Sequence, residues 1–280
     1  MRFHPRPANG NVNVPKTHPL AEMAWLAGGL FVIIAVVYLL LTLLTGWVVT
    51  ALPVEAEVWI GEKILQNDPG MPCEPLQKRL DQLVACLPQN SSLRHYPFSV
   101  RVIDSKYVNA IALPGGTIVV FSGLLKEVES ENELSMILAH ELGHYAHRDH
   151  LKRLGKGLIF GAASWLIFKD GSQPLLMPFA EIMEARYSQA QEERADLWGL
   201  DLLNKRYGHV GGSQAFFSRL LEKGDRGKFA HLLASHPHPG KRIENLVRAA
   251  QKKGYPMGEV QPVEDDIKAF LKRYCNIKQS

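Results

Sequence analysis

The segment Glu131 to His150 reads ENELSMILAHELGHYAHRDH and sets His140 and His144 four residues apart, with Glu141 next to the first of them. On an α-helix, positions i and i+4 share one face, so two imidazoles so spaced can meet one divalent ion at about 2.0–2.1 Å. Glu141 projects about 100° around the helix from His140, off the ion but beside it. A carboxylate there can take a proton from a metal-bound water, which is the chemistry of hydrolysis. Leu134, Ile137 and Leu138 form an apolar stripe leading into the motif, and the spacing predicts a helix over 131–150.

A catalytic zinc site needs a third protein ligand and an open fourth position. His147 lies on the same face but two turns from His140, too far along the axis to share the ion. His150 would suit a metzincin arrangement, which needs a tight turn at position 147, where such proteins carry glycine and this chain carries histidine. The other source is an acid of the run Gln191-Glu192-Glu193-Arg194-Ala195-Asp196, on a second predicted helix over 179–206.

These residues resemble a family. HELGH, followed about 50 residues on by Glu-x-x-x-Asp at Glu192 and Asp196, is similar to the HtpX-like and CAAX-prenyl-protease-type zinc metallopeptidases, a gluzincin group. Asn109-Ala110-Ile111-Ala112-Leu113-Pro114-Gly115-Gly116 resembles the family's strand and turn before the catalytic helix. Ser235-His236-Pro237 with Arg242 resembles its downstream Ser/Thr-His-Pro…Arg element. The resemblance covers roughly residues 54–250. It implies one Zn2+ held by His140, His144 and Glu192, with Glu141 as general base and Asp196 fixing the tautomer of a ligand histidine. It further implies that His236 and Arg242 face the metal from the far wall, His236 either stabilising the oxyanion or reaching the open coordination site. Polypeptide substrate would lie as an added β-strand along Asn109, Ala110, Ile111 and Ala112.

The elements that must position these groups follow from the pattern. Leu76, Leu80, Leu83 and Leu87 repeat at helical spacing, Pro97 to Asp104 alternates as a strand, and Asn109–Leu113 and Thr117–Phe121 flank the break Pro114-Gly115-Gly116. Further helices are predicted at 156–168, 213–223, 240–252 and 264–273. The expected fold is α+β, predominantly α, with a small β-sheet.

No charged residue lies between Glu22 and Glu55, and the apolar centre LAGGLFVIIAVVYLLLTLL is long enough to cross a bilayer as a helix. Trp25 and Trp47 would mark the two interfaces, about 33 Å apart along that helix. Arg2, Arg6 and Lys16 precede it, and Glu55, Glu57 and Glu62 against Lys63 follow it. The positive-inside rule then predicts a cytoplasmic tail over 1–22, a transmembrane signal anchor over 23–52 and an exported metallopeptidase domain over 53–280, periplasmic at a bacterial inner membrane. Gly157 to Phe168 is apolar but spans only about 18 Å. It reads as a buried helix or, with PLLMPF at 174–179, as a lip resting on the membrane.

The chain's 32 basic and 28 acidic residues are dispersed, and no stretch combines Lys and Arg with interleaved aromatics, so no nucleic-acid partner is expected. Cys73 and Cys86 bracket a helical run that keeps them too far apart to pair, while a Cys73–Cys275 bond is left open. The expected function is a membrane-anchored endopeptidase acting on unfolded or misfolded envelope proteins. The alternatives are a catalytically weak chaperone or adaptor on the same fold, or a processing protease for one substrate.

Overall fold

The structure, a computed structural model, describes residues 18–66, 70–155, 186–223 and 229–277. It divides into two compact units, one ending at Leu44 and the other beginning at Thr45. Helix α1, Pro19–Ala51, is long and apolar enough over Pro19–Val49 to cross a membrane. The segments 156–168 and 174–179, read above as a buried helix or a membrane lip, lie outside the described residues, as does the side chain of Cys275. Cys73 and Cys86 are free thiols at the two ends of one helix.

The second unit is mostly helical around a four-stranded mixed sheet. Its strands are β1 (Met71–Pro72), β2 (Ser99–Ile103), β3 (Ala110–Ala112) and β4 (Thr117–Phe121), in the order β1-β2-β4-β3. Strand β2 runs parallel to β4, and β3 pairs with β4 antiparallel, Ile111 opposite Val119. Side chains alternate across the pleat and both faces are covered. Val100, Val102, Ala112, Ile118 and Val120 join a core with Leu76, Leu80, Leu83, Leu134, Leu138 and Leu142. Ile103, Ile111, Val119 and Phe121 pack on the other face with Ile64. The first set comes from helices α3 (Glu74–Ala85) and α5 (Glu131–Ala146), and Ile64 from α2 (Val54–Leu65). A single turn, α4 (Ser122–Leu125), joins β4 to the loop before α5.

Helix α5 starts at Ser130, whose hydroxyl accepts from the Glu133 amide at 3.2 Å. Helix α6, Gln189–Tyr207, starts at a capping box in which Ser188 and Gln191 bond each other's amides, and it ends at Gly208 with φ +73°. The two helices touch backbone to backbone: a β-carbon at Gly143 would sit 2.8 Å from the Ala195 Cα. Only glycine permits that approach, which explains the fourth residue of HELGH. Later helices among the described residues are α7 (Ala215–Lys223), α8 (Ala230–Ser235), α9 (Pro239–Lys253) and α10 (Asp265–Ile277). The expected α+β architecture is therefore present. The predicted helix over 131–150 breaks at His147, and Arg148 adopts a left-handed φ of +53° before a helical stretch resumes.

Candidate metal centre

Helix α5 presents His140 and His144 one turn apart, both buried, with their Nε2 atoms 3.1 Å from each other. The close crossing at Gly143 and Ala195 brings the first turn of α6 over them. Glu192 Oε2 lies 3.6 Å from His140 Nε2, and Oε1 lies 3.5 Å from His144 Nε2. Glu193, its neighbour, is exposed. His236, which follows α8, completes the group, with Nδ1 3.0 Å from Glu192 Oε1 and 3.4 Å from His140 Nε2. One donor atom from each of these four side chains lies within 4.8 Å of all the others.

The outward nitrogens of the two α5 histidines are backed by carboxylates. His140 Nδ1 meets Asp196 Oδ1 at 2.9 Å, and His144 Nδ1 faces the buried Asp149 Oδ2 at 3.6 Å. Tyr187 stacks on His144 with ring centroids 3.7 Å apart. Imidazoles backed by carboxylates on their Nδ1 side, by a hydrogen bond at His140 and at longer range at His144, and turned inward at Nε2 toward a buried carboxylate, are a donor set that suits a divalent cation. The geometry fits a metal.

Arg242, in the first turn of α9, packs over Phe217 and forks onto Asp196, with Nη2 to Oδ1 at 2.6 Å and Nε to Oδ2 at 2.8 Å. Its Nη1 reaches Glu192 Oε2 at 2.7 Å. Arg242 thus touches both carboxylates, Asp196 and Glu192. Burial alone would raise the Glu192 carboxyl, but the charges of His236 and Arg242 hold it well below the usual range. Asp196 is lowered the same way by Arg242 and His140. Burial, then Arg242, lowers the His140 ring.

Glu141 is buried beside the cluster. Its Oε1 is 3.9 Å from His236 Nε2, and its Oε2 has no hydrogen-bond partner among the described residues. A buried acceptor left open is costly unless something outside the protein uses it. Next to it runs a cleft lined by Ala110, Met136, Ile137, Phe216 and Leu232.

Strand β3 is an edge strand, and its residues are buried. Asn109 accepts from the Phe121 amide and Leu113 donates to Thr117 O, so the odd-numbered residues pair with β4. By alternation, the backbone groups of Ala110 and Ala112 point to the open edge, although the Ala110 amide already bonds Asn109 Oδ1 at 3.0 Å. The Asn109 Nδ2 also reaches Ser235 Oγ at 3.4 Å, tying the strand to the residue before His236.

The two other histidines weighed as ligands stand apart from the cluster. His147 caps α5 near Trp198, and His150 Nε2 bonds Glu57 at 2.7 Å. Asp149 and Tyr187 escaped the sequence reading. The first is placed by the left-handed turn at Arg148, which no residue pattern announces, and the second precedes α6 with no periodic signal.

The family model for peptidase family M48 matches residues 74–250, well over half of the chain. The chain is 30% identical over 183 residues to the mitochondrial metalloendopeptidase OMA1 of Bos taurus, covering 59% of this chain and 35% of that protein. It is 30% identical over 177 residues to the metalloprotease LoiP of Escherichia coli (strain K12), covering 60% and 68%. It is 26% identical over 253 residues to a putative beta-barrel assembly-enhancing protease of Vibrio cholerae, covering 81% and 51%. The match therefore spans about a third of the mitochondrial relative and two thirds of LoiP. With the HELGH helix, the crossing α6 carboxylate and this match in agreement, the chain belongs to peptidase family M48.

Proposed function

We propose that this protein is a zinc-dependent endopeptidase, anchored in a membrane by residues 23–52, that cleaves unfolded or misfolded envelope polypeptides. The observation that carries the reading is the convergence of His140, His144 and Glu192 beside a buried carboxylate with an unused oxygen. His140, His144 and Glu192 would hold the ion, and His236 stands close enough to join them. Two imidazoles and a carboxylate favour zinc, which supplies a Lewis acid that acidifies water and polarises a scissile carbonyl.

Glu141 accepts the proton of the attacking water at Oε2 and returns it to the leaving nitrogen. Asp196 and Asp149 hold the ligand rings by their Nδ1 atoms, and Arg242 fixes Asp196 and Glu192 in place. His236 serves the developing oxyanion from the opposite side. The open edge of β3 takes substrate as an extended strand, which makes recognition tolerant of sequence, and the apolar cleft admits one side chain.

The division into a cytoplasmic tail over 1–22, an anchor over 23–52 and a catalytic domain over 53–280 rests on the uncharged run and its flanking charges, which favour a periplasmic domain at a bacterial inner membrane. Activity of a reporter fused after Ser280 only in the cytoplasm would reverse that orientation. The central test is Glu141→Gln, assayed for casein cleavage and zinc content. Cleavage should disappear while one zinc per chain remains. Retained cleavage would exclude the mechanism. Absent cleavage in the wild type despite bound zinc would favour the adaptor reading.

A further inference from the structure

We propose that Glu57, on the helix that follows the apolar segment in sequence, is a positioning residue for the metal centre, setting both the end of the histidine-bearing helix and the turn beside the edge strand. The inference rests on reading the His140–His144–Glu192 cluster as a metal site.

Glu57 is fully buried, and four donors from separate parts of the chain meet its carboxylate. Oε1 accepts from the Gly115 amide at 3.0 Å and faces His150 Nε2 at 2.7 Å. Oε2 accepts from the Tyr96 hydroxyl at 2.8 Å and from Arg148 Nη2 at 3.3 Å. Burial opposes the charge, yet the His150 and Gly115 contacts bring its pKa down to about 2, so it is a carboxylate at any physiological pH.

Three of the four partners lead toward the metal cluster or the substrate edge. His150 Nδ1 lies 3.4 Å from the main-chain oxygen of His144, and its ring packs on Tyr145 with centroids 4.3 Å apart. The Tyr145 hydroxyl in turn lies within hydrogen-bond reach of the carbonyls of Leu113 and Thr117, which flank the turn after β3, with its one hydrogen to share between them. Gly115 belongs to that turn. Its contact with α2 leaves no slack, because a β-carbon at Gly61 would fall 2.1 Å from Pro114 O and one at Gly115 would fall 2.8 Å from Val58 Cα. Arg148 also donates to Leu52 O at 2.5 Å while holding its own backbone at φ +53°. A non-glycine residue in that left-handed region is strained and persists where surrounding contacts over-determine it. Helix α2 therefore cannot shift without moving the main chain of a ligand histidine and the turn of the substrate edge together.

The test uses the full chain in detergent, loaded with cobalt(II), and reads the visible absorption of the ion beside kcat and KM on casein. His150→Gln is the decisive variant, since Glu57 keeps its Gly115, Tyr96 and Arg148 partners. It should shift the cobalt spectrum and lower kcat about tenfold or more, with KM and the melting midpoint little changed. Glu57→Ala should shift the spectrum and lower kcat more strongly, with a lower melting midpoint because it leaves buried donors unpaired, and Glu57→Gln, which can still accept from Gly115, should recover part of the loss in kcat. A folded His150→Gln protein with the wild-type spectrum and kcat overturns the proposal. So does a His150→Gln protein that fails to fold, which would make the network a structural clamp. A wild-type protein that takes up no cobalt instead overturns the metal reading on which this rests.

Discussion

Helix α5 carries a buried ionic cluster at each end, and the two are built on opposite principles. At its start, Arg79 has every N–H bonded. Nε and Nη2 fork onto Glu131 at 2.7 and 2.8 Å, Nη1 and Nη2 onto Asp266 at 2.9 and 2.9 Å, and Nη1 also reaches Pro75 O at 2.8 Å. Nothing is left over. Near its other end, two Nε2 atoms face each other across 3.1 Å with a carboxylate above them, and Glu141 Oε2 is unmatched among the described residues. Closed clusters fasten elements together, while clusters whose acceptors point at one spot are arranged for something that arrives from outside. A shared helix and similar charge therefore do not mean equal purpose.

The largest effect should come from emptying the second cluster while leaving the first intact. Dialysis against a chelator should reduce cleavage more than about a thousandfold, and zinc should restore it. The melting midpoint should also fall, because an ion present at a thousand times its dissociation constant stabilises the folded state by about 4 kcal/mol. Circular dichroism should nonetheless show a folded chain, since the sheet core and the Arg79 cluster do not involve the ion. Unfolding on chelation would erase the contrast. Next in size, Arg79→Met leaves Glu131 buried without its partner and should cost about 3–5 kcal/mol in chemical denaturation. Its kcat per folded molecule should match the wild type, and a selective loss of kcat would mean that the two ends are coupled. Smaller again, Asp196→Asn should weaken zinc binding by about 10–100-fold in competition with a chromophoric chelator, because His140 Nδ1 then lacks its carboxylate.

How far the two clusters could be read from the sequence follows the same division between local and distant causes. His140, Glu141 and His144 are fixed by helical spacing, and the strand Thr117–Phe121 by its run of β-branched residues, so both are in place. Glu192 was separable from Glu193 only through the family resemblance, and the structure turns Glu192 inward through the capping box at Ser188, which begins α6 ten residues later than the predicted helix at 179. Arg79 lies on a helix whose leucine spacing alone gives a lone basic residue no assigned partner. Its partners Glu131 and Asp266 are 52 and 187 residues away, beyond any periodic signal. Glu57 was read only as part of the charge balance after the anchor, and its burial depends on the packing of Gly61 against Pro114. Strand β1 has two residues, one of them proline, and offers no strand pattern.

The smallest effect sharpens the contrast from the closed side. Asp266 sits in the first turn of α10, and its side chain is about a third exposed. Burial would raise its carboxyl, but its hydrogen bonds and ion pair with Arg79 lower it below the ordinary aspartate value near 4. A group whose folded pKa is depressed contributes stability above its unfolded pKa and loses that contribution as the pH falls through the folded value. Asp266→Asn should therefore be less stable than the wild type at pH 7, by no more than about 1 kcal/mol because solvent screens the pair. As the pH is lowered through 4 and below, the wild type gives up the same interaction, and the two denaturation midpoints should draw together. Because Arg79 keeps Glu131 throughout, neither protein should lose zinc or kcat at pH 7. A gap between the two proteins that stays constant from pH 7 to pH 3 would show that Asp266 holds α10 by its shape and not by its charge.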